Sequence, residues 1–431
     1  MKSKLIKLSK KPFVQNVAIV ATGTAAAQAI TMAFAPVITR LYGPEAFGVL
    51  GVFMAMVAII SPIAALTYPI AIVLPKSDAD AKVLIGISLY ISVGMSAVIA
   101  LILVLFNNPI VTFLQIEVIA PFLYLIPLVI LFSAFLQVAQ QWLIRTKQFR
   151  ITARVAFLQA LFLNSAKAGI GWFNPVAAVL IILATLGSAL HALMLFLGAS
   201  RSQRKQVEEL TESNTVKELA KKHRDFPIYR APQVFINAIS QSLPVLLLAS
   251  FFGPASAGFY TIGKTVLGMP AQLIGSSVGD VFYPRIAAAA NNGENLTRLI
   301  TKATLGLAAV GIIPFGIIIA LGPWIFGFVF GAEWVLAGEY ARWIALWSFF
   351  MFLNNPSVKA LPVLSAQLFH LRFTIFTVTT RISVLAIGYY VFSSDIVAVA
   401  LFGVSGAIIN IILILITLQK GKSFDKLRRR T

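Results

Sequence analysis

Five cations stand inside long apolar stretches of this sequence: Lys167, Lys264, Arg342, Lys359 and Arg381. A basic residue at the centre of a membrane-crossing helix costs about 2.5 to 3.5 kcal/mol, so it persists only with a counter-charge, with water or for a function. Their settings differ. Arg342 follows Glu339 by three residues, the spacing of an ion pair on one helix face. Lys359 stands near the end of its stretch, where its aliphatic stem can carry the ammonium out to headgroups. Lys167, Lys264 and Arg381 are deeper, and neither Lys264 nor Arg381 has an acid within four residues. Two readings stay open for these three. They line a water-filled space that holds an anionic substrate, or they pair with acids on other helices, Asp280 first among them.

Other polar residues accompany them. Lys167 is near Gln159, Asn164 and Ser165, while Lys264 leads a series through Gln272 and Ser276 to Asp280. His370, Thr374, Thr377 and Arg381 fall within about 60° of one another on a helix. Asn16, Thr24, Gln28 and Thr31 form one stripe, and Gln233, Asn237, Ser240 and Gln241 form another. Such stripes face a lumen or bond to a neighbouring helix. The candidate substrate contacts are therefore Lys167, Lys264, Arg381, Gln28, Asn237 and Gln272. Arg40, Asp280, Glu339, Arg342 and Lys359 are candidates for gating or for structural pairs. No chemistry of bond making is expected. Cysteine is absent, His191, His223 and His370 are scattered, and no acid pair or nucleophile arrangement is present, so neither catalytic residues nor a metal nor a cofactor is expected.

The elements that carry these residues follow from composition. With 59% hydrophobic and 12% charged residues and a mean hydropathy of +0.89, the chain is far more apolar than a soluble domain, which carries about 25% charge. Its apolar runs are as long as a helix needs to cross the hydrocarbon core, about twice a barrel strand. Twelve spans are expected, at 14–39, 46–74, 83–106, 118–144, 152–172, 175–198, 229–252, 257–283, 297–322, 335–362, 368–392 and 396–419. The first is too long for the apolar part of a cleaved signal peptide and is read as an uncleaved span. Of 35 Lys and Arg, 29 fall at the chain ends or in every second gap between spans, and the alternate gaps hold only Arg40. Both termini are thus expected in the cytoplasm. The net charge of +20 lies beside spans, where it attracts anionic lipids and sets orientation, so nucleic acid is not an expected partner.

The spans divide six and six. Residues 1–198 form an expected N-terminal lobe and 229–431 a C-terminal one with a basic tail. Residues 199–228 link them as a solvated connector with a short surface helix, mixing cations with Glu208, Glu209, Glu212 and Glu218. Gly43, Pro44 and Gly48 recur as Gly253, Pro254 and Gly258, an offset of 210 residues, each time between the first and second spans of a half. Pro36 and Pro75 recur as Pro244 and Pro284 at nearly the same shift. The expected fold is all-α: two six-helix bundles related by a pseudo-twofold axis along the membrane normal, with the substrate between the halves.

The stretches ITRLYGPEAFGVLGVF, YPIAIVLPKSDADA and FFGPASAGFYTIGKTVLGMPAQLIGSSVGDVFYPRIA, with the Lys-rich start, resemble the Wzx-like polysaccharide-export flippases. These belong to the multidrug/oligosaccharidyl-lipid/polysaccharide (MOP) exporter superfamily. The resemblance covers essentially the whole chain. It implies an alternating-access carrier, functional as a monomer, that moves undecaprenyl-diphosphate-linked oligosaccharide across the bacterial inner membrane. The unit then passes to polymerase and chain-length proteins of the same pathway. Lys167, Lys264 and Arg381 match the family's theme of cation-lined lumens. Three rivals are weaker. Related MATE drug exporters place a coupling carboxylate in the first span, and 14–39 holds neither Asp nor Glu. Lipid II flippases usually carry two further spans. A membrane polymerase or ligase would need a large outer loop, and the outer gaps here are short.

Overall fold

A computed structural model describes residues 12–114, 116–203, 215–364 and 366–428, and every regular element among them is helical. Within lipid each backbone N–H must find its carbonyl inside the segment, which a helix achieves alone. In chain order the helices are α1 (Pro12–Ala64), α2 (Asp78–Leu114), α3 (Ile126–Arg145), α4 (Phe149–Phe173), α5 (Ala177–Gln203), α6 (Val216–Lys222) and α7 (Ala231–Phe252). They continue as α8 (Pro254–Asn291), α9 (Leu296–Phe330), α10 (Val335–Leu353), α11 (Asn355–Ala360), α12 (Gln367–Tyr390) and α13 (Asp395–Arg428). Eight stretches among the described residues are long and apolar enough to cross a membrane, and the longest, Thr22–Ala64 within α1, overlaps both of the first two expected spans. The chain is a multi-pass membrane protein of all-α fold.

Helix α1 breaks at Gly43, whose φ of 68° and ψ of 173° lie where a side chain is not tolerated. Gly253, between α7 and α8, has φ 89° and ψ 173°. Each is followed by a proline, whose missing N–H suits the first turn of a new helix.

Contacts divide the chain into Met1–Leu246 and Leu247–Thr431. In the first unit, α1 and α4 run side by side. Gly23 lies against Ala153, Asn164 donates to the Thr31 hydroxyl (3.3 Å), and the Tyr42 hydroxyl donates to the Lys167 carbonyl (2.9 Å). Small residues and cross-helix hydrogen bonds replace the hydrophobic effect as the source of close packing in lipid. Elsewhere in the unit Ile72, Leu84, Val138, Trp142 and Leu195 form a buried core.

The second expected span ends early. Helix α1 stops at Ala64, Leu66 and Thr67 take left-handed φ of 46° and 57°, and a 3-10 turn follows over Tyr68–Val73. Pro69 and Pro75 each withhold a backbone donor there, which favours a tight turn over a further helical ladder. Arg145 pins the segment. It donates to the carbonyls of Pro75 (2.6 Å) and Ile72 (3.2 Å) and pairs with Asp78 (2.7 Å).

The connector is not simply solvated. Glu208, Glu209 and Glu212 lie outside the described residues, but α6 begins with a capping box between Thr215 and Glu218 and docks on the first unit. Leu219 is 1% exposed within the core just named. Tyr68 donates its hydroxyl to the Ala220 carbonyl (3.2 Å) and Thr67 donates to that of Phe226 (3.0 Å). An apolar residue among charged neighbours found a groove. Burial and the Lys222 charge push the His223 imidazole below its ordinary range, against the pull of Asp80.

In the second unit α10 packs against α8, α9 and α13. Asp395, which the sequence places in an outer gap, opens α13. It accepts hydrogen bonds from the hydroxyls of Tyr340 (2.6 Å) and Ser256 (2.9 Å), tying α13 to α10 and α8. At the unit's other end, Asp425 accepts from the backbone of Leu296 and Thr297 and caps α9.

Candidate functional site

Arg381, in the second unit, sits on a cluster of aromatic rings. Arg381, midway along α12, holds its guanidinium 4.8 Å from the Trp347 ring centroid and 5.5 Å from that of Phe402. Trp347 comes from α10 and Phe402 from α13, and their rings meet edge to face at 5.2 Å. Tyr260 of α8 closes the group, 6.2 Å from Phe402. Gly406 keeps the Trp347 ring in place by its lack of a side chain, since a Cβ there would come within 2.6 Å of the indole. Lys264 follows Tyr260 by one turn of α8 and lies near enough to feel the Arg381 charge.

The polar atoms of this cluster are underused. Arg381 Nε, Trp347 Nε1 and the Tyr260 hydroxyl are all buried without a hydrogen-bond partner among the described residues. No carboxylate among those residues pairs with Arg381. A π face attracts a cation without cancelling its charge, unlike a carboxylate. The cluster is a fixed, concentrated positive charge with donors to spare, suited chemically to a multiply charged oxyanion.

Not every sequence candidate joins it. The side chains of Gln272 and Asp280 lie outside the described residues, as does that of Asn16. Glu339 and Arg342 form an ion pair (3.1 Å), and Arg342 also donates to the Ile319 carbonyl (2.8 Å). Lys359 is half-buried on the short helix α11. In the first unit, Lys167 is half-buried on α4 beside Asn164, which is 5% exposed and also donates to the Ala160 carbonyl. Gln28 is half-buried on α1, and Arg40 and Asn237 are exposed.

The stripe leading to Arg381 is less polar than its composition suggests. Thr374 and Thr377 each donate to the carbonyl four residues back, so their hydroxyls are satisfied inside α12 and need no lumen. Tyr260, Trp347 and Phe402 escape a sequence reading. Tyr260 alone left a trace, by standing one helical turn before Lys264. Among the described residues no group of three or more His, Asp or Glu side chains is placed to hold a metal ion.

No curated protein matches this sequence. Solved structures resemble it in fold. An inward-facing multidrug resistance MATE family transporter of the MOP superfamily matches with a TM-score of 0.69 at 12% identity, over 94% of this chain and 99% of that one. Lipid II flippase MurJ in an inward closed conformation matches with a TM-score of 0.68 at 13% identity, over 95% and 90%. A MOP superfamily transporter from Pyrococcus furiosus, described as having a binding pocket of reverse polarity, matches with a TM-score of 0.62 at 11% identity, over 95% and 96%. The chain therefore shares the fold of these transporters. A family model described as polysaccharide biosynthesis protein matches residues 37–338, most of the chain, a span that includes Lys167, Tyr260 and Lys264. With that match over this fold, the chain belongs to the polysaccharide biosynthesis protein family.

Proposed function

We propose that this protein is a flippase that carries undecaprenyl-diphosphate-linked oligosaccharide units across the bacterial inner membrane by alternating access. The observation that carries this reading is the setting of Arg381, a cation held by Trp347 and Phe402 that pairs with no acid among the described residues. On this reading Arg381 and Lys264 anchor the diphosphate, while the lipid tail stays in the bilayer. Family membership supports a role in making polysaccharide, and the fold supports transport. A diphosphate with about two charges also gains roughly 4 to 5 kcal/mol per 100 mV when it moves outward down an inside-negative potential. The unit then becomes available to the polymerase and chain-length proteins of its pathway.

A MATE-like exporter of cationic drugs is disfavoured by charge, because a cationic substrate would be repelled by Arg381 and Lys264. The test is complementation of a flippase-null strain. Wild type should restore surface polysaccharide, while Arg381→Ala at equal membrane abundance should leave lipid-linked oligosaccharide on the cytoplasmic leaflet. Full surface polysaccharide in the Arg381→Ala strain would reject the anchor.

A further inference from the structure

Arg298, Lys302, Lys422 and Lys426 converge on a concave space of about 460 Å³ in the second unit. Two come from the first turns of α9 and two from the last turns of α13. The acid in its lining, Asp425, is already engaged, accepting from the backbone N–H groups of Leu296 (3.0 Å) and Thr297 (3.1 Å) and from the Thr297 hydroxyl (2.7 Å). None of the four cations forms an ion pair among the described residues. Basic residues at a membrane boundary usually spread into water. Here they close on a recess from two sides.

Each pair also ends an apolar stripe. On α9, Arg298, Lys302, Leu305 and Ile312 fall within about 80° of arc, and on α13, Lys426, Lys422, Leu415 and Ile408 fall within about 40°. The apolar members are open to the surroundings: Leu305 is 63% exposed, Ile312 61%, Leu415 60% and Ile408 50%. Both helices are long and apolar enough to cross a membrane, so these stripes face acyl chains. The recess lies at the depth where a lipid's headgroup meets its tails.

We propose that this recess binds the phosphate of an acidic phospholipid, whose acyl chains lie along the Leu305/Ile312 and Ile408/Leu415 stripes. Free phosphate has the same headgroup chemistry but no use for the stripes, which is why a lipid is the better occupant. A bound lipid would cross-link the start of α9 to the end of α13, adding to the clasp that Asp425 already makes. The site is independent of the Arg381 cluster, so neither reading stands or falls with the other.

Native mass spectrometry of the full chain in detergent, titrated with phosphatidylglycerol or phosphatidylcholine, tests this. Wild type should retain phosphatidylglycerol in preference to phosphatidylcholine. Affinity should fall about fivefold for each cation removed in Lys422→Gln/Lys426→Gln and return in Lys422→Arg/Lys426→Arg. Leu305→Ser/Leu415→Ser should weaken retention as well, and millimolar inorganic phosphate should not displace the lipid. If the Lys→Gln pair fails to fold, Arg298→Gln/Lys302→Gln gives the same readout from the other helix. Equal retention of phosphatidylglycerol by wild type and a folded Gln pair would overturn the site. Displacement by inorganic phosphate, with no effect of the Ser pair, would overturn the lipid and assign the recess to soluble phosphate.

Discussion

The guanidinium of Arg381 stands 4.8 Å from the centroid of the Trp347 ring, and both carry a buried N–H without a partner among the described residues. The ring holds the cation, and the cation keeps its charge. Trp347→Leu removes a desolvated cation–π contact worth about 2 kcal/mol, so transport should fall roughly thirtyfold at constant membrane abundance. Arg381→Lys should also fail, because an ammonium lacks the planar face that stacks on an indole. Surface polysaccharide and cytoplasmic lipid-linked intermediates, measured together, check both variants. Wild-type export from Trp347→Leu would show that the ring is packing only.

Gly43 and Gly253, 210 residues apart, share one backbone conformation, with ψ at 173° in both. At this positive φ any side chain is strained by about 1 to 3 kcal/mol. Gly43→Ala and Gly253→Ala should therefore destabilise their units by similar amounts, read as a lowered unfolding temperature in detergent. An unchanged temperature for either would separate the two turns and weaken the repeat.

What the sequence disclosed was what lies close along the chain. The Gly-Pro turns were legible because glycine and proline act locally, and the Glu339–Arg342 pair because its partners share one helix face. The partners of Arg381 were not, since Trp347 and Phe402 look like any aromatic residue in an apolar run. Asp395 was placed in an outer gap, and nothing nearby pointed to Ser256, 139 residues earlier. Thr374 and Thr377 show the same limit from the other side. They looked wet because composition does not reveal that a threonine can satisfy itself on its own helix.

Arg145 also gained its role only in three dimensions. Its side chain is 10% exposed and reaches the Ile72 and Pro75 carbonyls and the Asp78 carboxylate at once. Arg145→Lys keeps the charge but loses the fork, leaving carbonyls unpaired at a cost of about 2 to 3 kcal/mol. The expected result is faster proteolysis between Leu66 and Ser77. Wild-type resistance in the lysine variant would mean that Asp78 alone holds the turn.

Orientation can be tested with cysteines placed where they disturb nothing, since the chain has none of its own. Asp395 is unsuitable because it anchors Tyr340 and Ser256. Cysteines at Asn108 and Phe392, both exposed, should react with an impermeant thiol reagent from outside intact cells. A cysteine at Lys217 on α6, also exposed, should react only after permeabilisation. The reverse pattern would invert the topology and place the α6 linker outside.

The docked linker should respond to pH through His223. Burial and Lys222 hold its imidazole below the ordinary histidine range, so the folded state favours the neutral ring more than the unfolded state does. Stability from this group is present above the unfolded value near 6.5 and is lost as pH falls through the lower, folded value. Asp80 opposes the shift, so removing it should move the transition to lower pH still. Acidification should therefore loosen α6, seen as faster amide exchange at Leu219, whose N–H is bonded to the Thr215 carbonyl at 3.1 Å. In His223→Gln the exchange rate, corrected for its intrinsic pH dependence, should stay flat over that range. If His223→Gln keeps the wild-type pH response, another group controls the linker.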